Sequence, residues 1–379
     1  MKFGYAILAA MSISAILLFI AILIVLVIVH EFGHFVVAKL TGMRVDEFAF
    51  GFPPRIFAKK IGETVYAFNA IPLGGYVSIW GENGSDEDKK DNGASTHPRA
   101  FGNRPAWAQL LVLVAGVTMN MVLALLIFIF ISYGEVRIST DDPIYGHRVK
   151  NAELIVVDIS KESPAFKAGV VPGSTITSVT SLGKKASIVT ATSVISFIEK
   201  NQNSTFTIGY RTPDGQSKET SIAAVYGIVP DKKALGVALD TIGTMKTTLG
   251  ESFVLGFERT VTMTELTALG LVDVISSLFN GDNVIDSLSG PVGIAKIVDE
   301  TSNYGYVAVL TLVAILSINL AIFNILPLPA LDGGRIVVVL IETIFRKKIP
   351  FNYYSWVNVA GFFLLILLLV VVTVHDLKG

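Results

Sequence analysis

The sequence predicts a polytopic α-helical membrane protein with four transmembrane helices, a membrane-associated β-hairpin and an exported α/β domain. Hydrophobic residues make up 52% of the 379 residues and charged residues only 16%, and the mean hydropathy of +0.62 is well above that of ordinary soluble proteins. Four apolar stretches have roughly the 20 residues that a bilayer crossing needs. The segments between them contain the glycine and proline residues that separate short strands.

Each apolar stretch defines one span. We expect the first transmembrane helix within residues 1–40, the second within 107–133, the third within 305–345 and the fourth within 352–375. The first also resembles a secretory signal peptide, because Lys2 precedes an apolar run. Its length, the lack of a small-residue cleavage site and the polar residues that follow it directly favour an uncleaved span.

Basic residues in short loops predict the orientation, because such loops stay on the cytoplasmic side of a membrane. Arg346, Lys347 and Lys348 lie between the third and fourth spans, which places that loop in the cytoplasm. Residues 40–106 then face the cytoplasm too, whereas both chain ends and residues 134–304 are exported.

The two long connections differ in character. Residues 44–80, within a cytoplasmic segment of residues 41–106, contain two aromatic and β-branched runs that predict a β-hairpin leaning into the membrane. Residues 81–98 are polar and rich in glycine and serine, which predicts a flexible linker. On the exported side, residues 150–228 predict a compact α/β domain. Residues 229–304 predict surface-lying amphipathic helices.

Two features of the composition exclude classes of function. The formal net charge of −1 gives no basic surplus of the kind that nucleic-acid binding requires. The chain has no cysteine, which excludes disulfides, thiolate catalysis and cysteine-ligated metal. Any metal ion must therefore be held by His, Asp or Glu.

Three ionisable residues interrupt the end of the first span, in the sequence HEFGH. His30 and His34 are four residues apart, so both imidazoles lie on one helix face and can reach one ion. Glu31 beside them can accept a proton from water that the ion makes more acidic. A His pair on a soluble helix is often only surface polarity, but an ionisable residue inside a span costs about 2.5–3.5 kcal/mol and is a functional candidate. The motif therefore predicts a zinc site.

A catalytic zinc ion has three protein ligands and an open fourth position. Asp332 is our candidate for the third ligand, because it follows the third span where the prolines and glycines of residues 327–334 interrupt the helix. An ordinary interfacial aspartate in a turn is the alternative. The other histidines are poor candidates because they lie in the linker, in the exported segment and at the C-terminus: His97, His147 and His375.

Some asparagines lie within or at the ends of apolar spans, among them Asn120, Asn319 and Asn324. Asparagine in a span more often joins helices than takes part in catalysis. Near a zinc site, however, it can stabilise a developing oxyanion or hold the substrate backbone. Asn324 is the better candidate for this role, because it lies two turns ahead of Asp332.

Together these residues resemble a known family. HEFGH, the GVTMN of residues 116–120 and the NILPLPALDGGR of residues 324–335 closely resemble the motifs of the site-2 protease family of intramembrane zinc metalloproteases. The resemblance covers nearly the whole chain and is closest to the bacterial branch that cleaves anti-sigma factors and signal-peptide remnants. Residues 163–176 resemble the carboxylate-loop region of the circularly permuted PDZ domains found in that branch.

The resemblance implies a zinc-dependent intramembrane metalloendopeptidase of the bacterial inner membrane, with its active site toward the cytoplasm and a PDZ-like exported domain. It assigns His30, His34 and Asp332 as zinc ligands and Glu31 as the catalytic base. It also assigns a substrate-supporting or transition-state-supporting role to two of the asparagines: Asn324 and Asn120.

The resemblance implies partners as well. Single-span membrane proteins would be the substrates, bound in unwound form as an added strand at Gly74, Gly75 and Tyr76 of the hairpin. The PDZ-like domain would bind a peptide or protein, and the lipid bilayer would surround the spans. Two departures concern Val117, where bacterial members commonly have proline, and the exported segment, which has room for one PDZ domain where the best-known branch has two.

A function from another class is also compatible with the sequence: a PDZ-bearing membrane receptor or scaffold with a structural zinc ion. Structural zinc sites usually close all four positions with protein ligands, whereas only three candidates are visible here, which favours catalysis. A metal transporter is a weaker alternative, because the other spans contain no further row of acidic or histidine residues.

Overall fold

The computed structural model describes residues 12–82, 97–187, 190–229, 232–281 and 288–377. Most of the predicted flexible linker and the beginning of the predicted first span lie outside the described residues. The chain divides into two compact units, of which Met1–Ile131 with Phe253–Gly379 form the first and Ser132–Ser252 form the second. In sequence, the second unit is therefore an insertion into the first.

Helices dominate the first unit and strands dominate the second. Numbered along the described chain, the helices are α1 (Ile13–Leu40), α2 (Ala106–Ile131), α3 (Pro164–Lys167), α4 (Ala191–Lys200), α5 (Leu249–Asn280), α6 (Pro291–Ser302), α7 (Tyr306–Ile325), α8 (Asp332–Phe345) and α9 (Phe351–Asp376). The strands are β1 (Val45–Ile61), β2 (Thr64–Ile79), β3 (Gly134–Ser139), β4 (Lys150–Ile159), β5 (Thr175–Ser181), β6 (Lys184–Lys185), β7 (Thr205–Arg211), β8 (Ser217–Ala223), β9 (Val225–Val229), β10 (Lys232–Ala234) and β11 (Val237–Thr247).

Five of the described helices are long and apolar enough to cross a membrane, namely α1, α2, α5, α7 and most of α9. The chain is therefore a membrane protein. Within residues 229–304, where the sequence predicts surface-lying amphipathic helices, α5 is one continuous helix of 32 residues. It is the least apolar of the five, with a mean hydropathy of 1.4 over its most apolar window against 2.4 to 3.2 for the others.

Helices α1 and α2 run antiparallel and touch through their backbones. Gly33 lies next to Ala115, whereas the earlier residue His30 lies next to the later residue Asn120. A Cβ added at Gly33 would lie 2.4 Å from the carbonyl oxygen of Ala115, so only glycine permits this approach. The close crossing sets α2 against the side of α1 that carries both histidines.

β1 and β2 form a more elaborate structure than the simple hairpin that the sequence predicts. Both strands bend, so that residues 45–50 lie between residues 75–79 on one side and residues 64–68 on the other. Residues 64–68 pair in turn with residues 57–61. Gly51, with a φ of +76°, lies at the bend of β1. The result is a four-stranded antiparallel arrangement, in which residues 75–79 form one edge.

Charged side chains connect the turn between β1 and β2 to Arg99, which directly follows the predicted linker. Glu63 accepts hydrogen bonds from both terminal nitrogens of Arg99 at 2.8 Å and from Lys39 Nζ at 2.6 Å. The hydrogen bonds from Arg99 are the main reason that the pKa of Glu63 is lowered to about 2. The end of α1, the sheet and the residues after the linker are thereby joined.

The second unit is a mixed α/β domain that extends beyond the expected residues 150–228. Its sheet has the strand order β3-β11-β4-β5-β7-β8, with β6 paired to β5. Buried side chains of this sheet and of α4, including Val156, Val194 and Phe206, form its apolar core. Gly134 pairs with Thr247, so the two points at which the chain enters and leaves the domain are adjacent.

The end of this domain corrects one expectation. Residues 232–247 were expected to belong to the amphipathic helical region, but they form β10 and β11. The physical reason is the alternation in β11, where Thr241, Gly243, Met245 and Thr247 are buried and the residues between them are not. A period of two is that of a strand with one covered face.

Helix α6 begins at Pro291, as the Gly-Pro sequence predicts. Its cap, Gly290, has no side chain that could accept a hydrogen bond. Asp376, at the end of α9, supplies the acceptor instead, because the Gly293 N–H donates to its Oδ2 at 2.8 Å. The carboxylate also lies at the positive end of the helix dipole.

Removing this distant cap should destabilise the protein. We expect Asp376→Ala to cost about 1 kcal/mol, the usual effect of deleting a helix cap, and to lower the melting temperature of the full chain in detergent by a few degrees. Asp273→Ala is the control, because Asp273 is exposed on α5. Equal melting temperatures for the two variants would show that the contact with α6 contributes no stability.

Candidate metal centre

Three side chains from distant parts of the sequence converge on one point. His30 Nε2 lies 3.1 Å from Asp332 Oδ2, His34 Nε2 lies 3.3 Å from the same oxygen, and the two Nε2 atoms are 3.1 Å apart. The histidines lie on α1, and Asp332 is the first residue of α8. Within the described ranges, this is the only group of three or more His, Asp or Glu residues that could hold a metal ion.

The geometry fits a tetrahedrally coordinated zinc ion. Ligand atoms at about 2.0–2.1 Å from a tetrahedral zinc ion are about 3.3 Å from one another, and the three observed separations are 3.1 to 3.3 Å. Asp332 Oδ2 is buried and makes no hydrogen bond to a described residue, although both imidazoles are near it. A buried carboxylate oxygen without a hydrogen bond is costly, and a bound cation would remove that cost.

The second nitrogen of each imidazole has a partner on α2. His34 Nδ1 lies 2.8 Å from the carbonyl oxygen of Val112 and therefore donates to it when Nε2 binds metal. His30 Nδ1 lies 3.3 Å from the amide of Asn120, which is fully buried. Asn120 Oδ1 makes no hydrogen bond to a described residue, and rotation of the amide by 180° lets this oxygen accept the proton of His30 Nδ1. Both rings would then be fixed in the tautomer that leaves Nε2 free.

Gly116 provides the space that the two imidazoles occupy. A Cβ added at this position would lie 2.3 Å from His34 Nε2 and 2.8 Å from His30 Nε2. Within the GVTMN motif, Gly116 thus gives room for the histidines and Asn120 gives an acceptor. Val117, where the family commonly has proline, lies inside the continuous helix α2.

Glu31 lies between the histidines and the sheet. Its carboxylate is half-buried and makes no hydrogen bond or ion pair with any described residue. A Cβ added at Gly75 would lie 3.2 Å from Glu31 Cγ, so the backbone of β2 lies directly against α1 at this residue. Of the two neighbouring candidates, Gly74 lies close to the ring of Phe52 and Tyr76 pairs with Ala49 in the sheet.

The remaining asparagines have different surroundings. Asn324 lies in the last turn of α7, separated from Asp332 by the end of that helix, and its half-buried side chain makes no hydrogen bond within the described chain. Asn319 accepts a hydrogen bond from Thr267 Oγ1 on α5 at 3.1 Å. Asn319 therefore joins two helices.

Sequence reasoning missed a buried ion pair one turn after Asp332. Arg335 Nε donates to the hydroxyl of Tyr354 on α9 at 2.7 Å, and the same guanidinium pairs with the carboxylate of Glu82, just after β2. Its position in LDGGR was visible in the sequence, but the two partners lie far away along the chain. This ion pair connects α8, the sheet region and α9 beside the candidate metal centre.

An open cleft of about 340 Å³ adjoins Asp332 and Arg335, with α9 on its other side. Asn358 of α9 accepts a hydrogen bond from the backbone N–H of Ala330 at 3.1 Å. Ala330 has a φ of +70°, an unusual conformation that this contact helps to hold. The loop that carries Asp332 is therefore supported from α9, and the cleft is large enough to admit water and part of a peptide.

The contact between Asn120 and His30 leads to a prediction about metal affinity. We expect Asn120→Ala to weaken zinc binding about 10- to 100-fold, the usual cost of removing a partner of a metal-bound histidine, and Asn120→Asp to retain it because a carboxylate also accepts from His30 Nδ1. Competition with a fluorescent zinc chelator measures both. Asn319→Ala is the matched control, since it removes a half-buried asparagine that contacts α5 instead. Equal zinc affinity in the two alanine variants would contradict the assignment.

Comparisons with known proteins find relatives that are described as zinc metalloproteases. The model of peptidase family M50 matches residues 18–368. A Clostridium perfringens protein named "Putative zinc metalloprotease" is 33% identical over 360 residues, covering 93% of this chain and 95% of the relative. A Clostridium acetobutylicum protein of the same description is 32% identical over 353 residues, covering 93% and 94%. The Bacillus subtilis "Regulator of sigma-W protease RasP" is 27% identical over 440 residues, covering 97% and 99%.

Proposed function

Because the chain belongs to peptidase family M50, the site-2 protease family, we propose that it is a zinc-dependent endopeptidase that cleaves membrane proteins within their transmembrane segments. The observation that carries this proposal is the convergence of His30 and His34, on the largely apolar helix α1 that also carries Glu31, with Asp332 of α8. Ionisable residues are costly at that depth and are retained there for function.

His30, His34 and Asp332 would hold zinc, which when bound supplies Lewis-acid activation of water and of the carbonyl that is cleaved. Glu31 takes a proton from the attacking water at a carboxylate oxygen and passes it to the leaving amine nitrogen. Support for this role comes from its carboxylate, which no described residue engages in a hydrogen bond or ion pair.

The asparagines would have different roles. Asn324 would donate its amide to the oxygen of the scissile carbonyl, which is consistent with a side chain that no described residue engages. Asn120 would hold His30 in orientation and not touch the substrate, in contrast to the expectation from the family resemblance.

The substrate would bind in extended form, because a helix hides the peptide bonds that must be attacked. Residues 75–79 pair with β1 on one side only, and no second strand of the described chain pairs with them. An unwound peptide can add to this edge through main-chain hydrogen bonds. Gly75 supports this placement, because its backbone lies against Glu31.

We further propose that α1, α2, α7 and α9 make the complete crossings and that α5 does not. Ser12, before α1, donates to Asp299 of α6 at 2.9 Å, and α7 begins just after α6, so α1 and α7 begin on the same side. α2 is antiparallel to α1 and ends on that side as well. A single complete crossing by α5 would put the start of α7 on the opposite side.

This topology and the basic loop at 346–348 support an exported location for both termini and for residues 132–252, with the catalytic half of α1 toward the cytoplasm of a bacterial inner membrane. The domain of residues 132–252 would act as a PDZ-like module that binds a peptide or protein. Anti-sigma factors are proposed substrates because a relative is named "Regulator of sigma-W protease RasP", and signal-peptide remnants are a second proposed class.

The test is incubation of the purified full chain with single-span model substrates in detergent or bilayer discs, followed by mass spectrometry of the products. We expect a cut within the transmembrane segment that a zinc chelator abolishes and added zinc restores. Cleavage that persists in chelator, or cuts confined to soluble regions of the substrate, would overturn the proposed function.

A further inference from the structure

A second cleft, of about 350 Å³, lies between the beginning of α2 and the end of α8. It is separate from the cleft beside Asp332, and its lining is strongly basic. The charged residues that line it are Arg104, Arg346, Lys347, Lys348 and one carboxylate, Glu342.

The single carboxylate does not balance these charges. Glu342 Oε2 accepts from Lys348 Nζ at 2.8 Å, and Glu342 Oε1 accepts from the backbone N–H of Ile349 at 2.9 Å. Both oxygens are therefore occupied within the loop. Arg346 and Lys347 are exposed, and neither has a carboxylate partner among the described residues.

Arg104 adds a donor on the other wall of the cleft. One terminal nitrogen of its guanidinium donates to the carbonyl of Thr41, but its Nε is buried and has no hydrogen-bond partner among the described residues. Just beyond it, α2 begins at Ala106, and the first N–H groups of a helix have no partner within the helix and attract anions. Two cations without a carboxylate partner, the Arg104 side chain and a helix N-terminus thus line one cavity.

Aromatic residues indicate the level of this cleft in the membrane. Trp107 at the start of α2 is 61% exposed, and Phe345 at the end of α8 is 69% exposed. Exposed tryptophan beside a span is typical of the headgroup region. Both α2 and α9 are candidate spans that begin next to the cleft, so a lipid phosphate would lie at the same height as the basic side chains.

We propose that this cleft binds a phosphate ester, and that the source is the headgroup of an anionic phospholipid. Arg346 and Lys347 bind the phosphate oxygens from the side of the loop, and Arg104 with the start of α2 binds them from the opposite wall. Basic pockets between membrane helices recognise anionic headgroups in this way. A bound headgroup would join α2 to α8, the helix that begins with Asp332.

Native mass spectrometry of the purified full chain tests this, with phosphatidylglycerol and phosphatidylcholine added in parallel. The wild type should retain phosphatidylglycerol in preference to phosphatidylcholine. Each basic side chain near a membrane surface contributes about a fivefold change in affinity, so the double variant Arg346→Gln, Lys347→Gln should bind phosphatidylglycerol about 25-fold more weakly. The control double variant Lys59→Gln, Lys60→Gln removes two exposed basic residues of β1 and should bind like the wild type.

A melting-temperature measurement identifies the source of the phosphate. Inorganic phosphate alone should not raise the melting temperature of the delipidated protein, whereas phosphatidylglycerol should. Stabilisation by inorganic phosphate that the double variant loses would keep the site but assign it to a soluble ligand, overturning the lipid assignment. Equal lipid retention by the two double variants would overturn the site itself. If the double variant is not stably folded, the single variant Lys347→Gln tests the same site, and we expect it to bind phosphatidylglycerol about fivefold more weakly than the wild type.

Discussion

Glu31→Gln should abolish cleavage and leave zinc bound. The amide has nearly the shape of the carboxylate but cannot accept a proton, and loss of a general base typically costs about 10²- to 10⁴-fold in rate. Zinc content should stay at the wild-type level, because the three converging atoms belong to His30, His34 and Asp332. Cleavage of a single-span substrate, followed by quantitative mass spectrometry, and elemental analysis of the purified protein provide the two measurements.

Glu219→Gln is a matched control for this prediction, since Glu219 is exposed on β8 of the second unit. It should cleave at the wild-type rate. A Glu31→Gln protein that cleaves within about threefold of the wild type would assign the base to another residue. Loss of zinc in that variant would instead indicate that Glu31 is a ligand.

Asp332→Ala should lose both zinc and activity. Removing a partner of a ligand already costs about 10- to 100-fold in metal affinity, so removing one of three ligands should cost at least about 100-fold. The deletion also leaves two imidazoles without the oxygen that lies 3.1 and 3.3 Å from them. His34→Ala should behave in the same way. Elemental analysis after gel filtration and zinc titration by chelator competition measure the loss.

The folded state distinguishes catalytic from structural zinc in these variants. If the site is catalytic, the Asp332→Ala protein should elute and melt like the wild type measured without zinc, since α1, α2 and α7 pack through apolar clusters that do not include the ligands. Unfolding that accompanies metal loss would support the alternative of a scaffold with structural zinc. Full zinc occupancy in Asp332→Ala would show that Asp332 is not a ligand.

The sequence contained enough information to place the candidate ligands. His30 and His34 are one helical turn apart, so their convergence follows from helix geometry alone, and Asp332 stood out as an acidic residue on an interrupted apolar segment. The sequence was less informative about the roles of the residues that surround these ligands. Asn120 was expected to support the substrate, but its neighbour is His30 Nδ1, a contact that depends on where α2 crosses α1.

Hydropathy also predicted four of the five long apolar helices, because the length and composition of a span are local properties of the sequence. It did not predict that residues 45–50 are paired on both sides or that residues 232–247 form strands, since strand pairing is set by distant partners. The Arg335–Glu82 pair was missed for the same reason: the two residues are separated by 253 positions.

The sequence by itself thus determined that this is a membrane protein with a HEFGH helix and a candidate third ligand nearly three hundred residues later. Only the tertiary structure decided which atoms meet: the approach of α2 at Gly33 and Gly116, the position of β2 against Glu31, and the support of the Asp332 loop from α9. Local periodicity fixes which face of a helix carries a side chain, whereas packing of backbone against backbone decides what that face contacts.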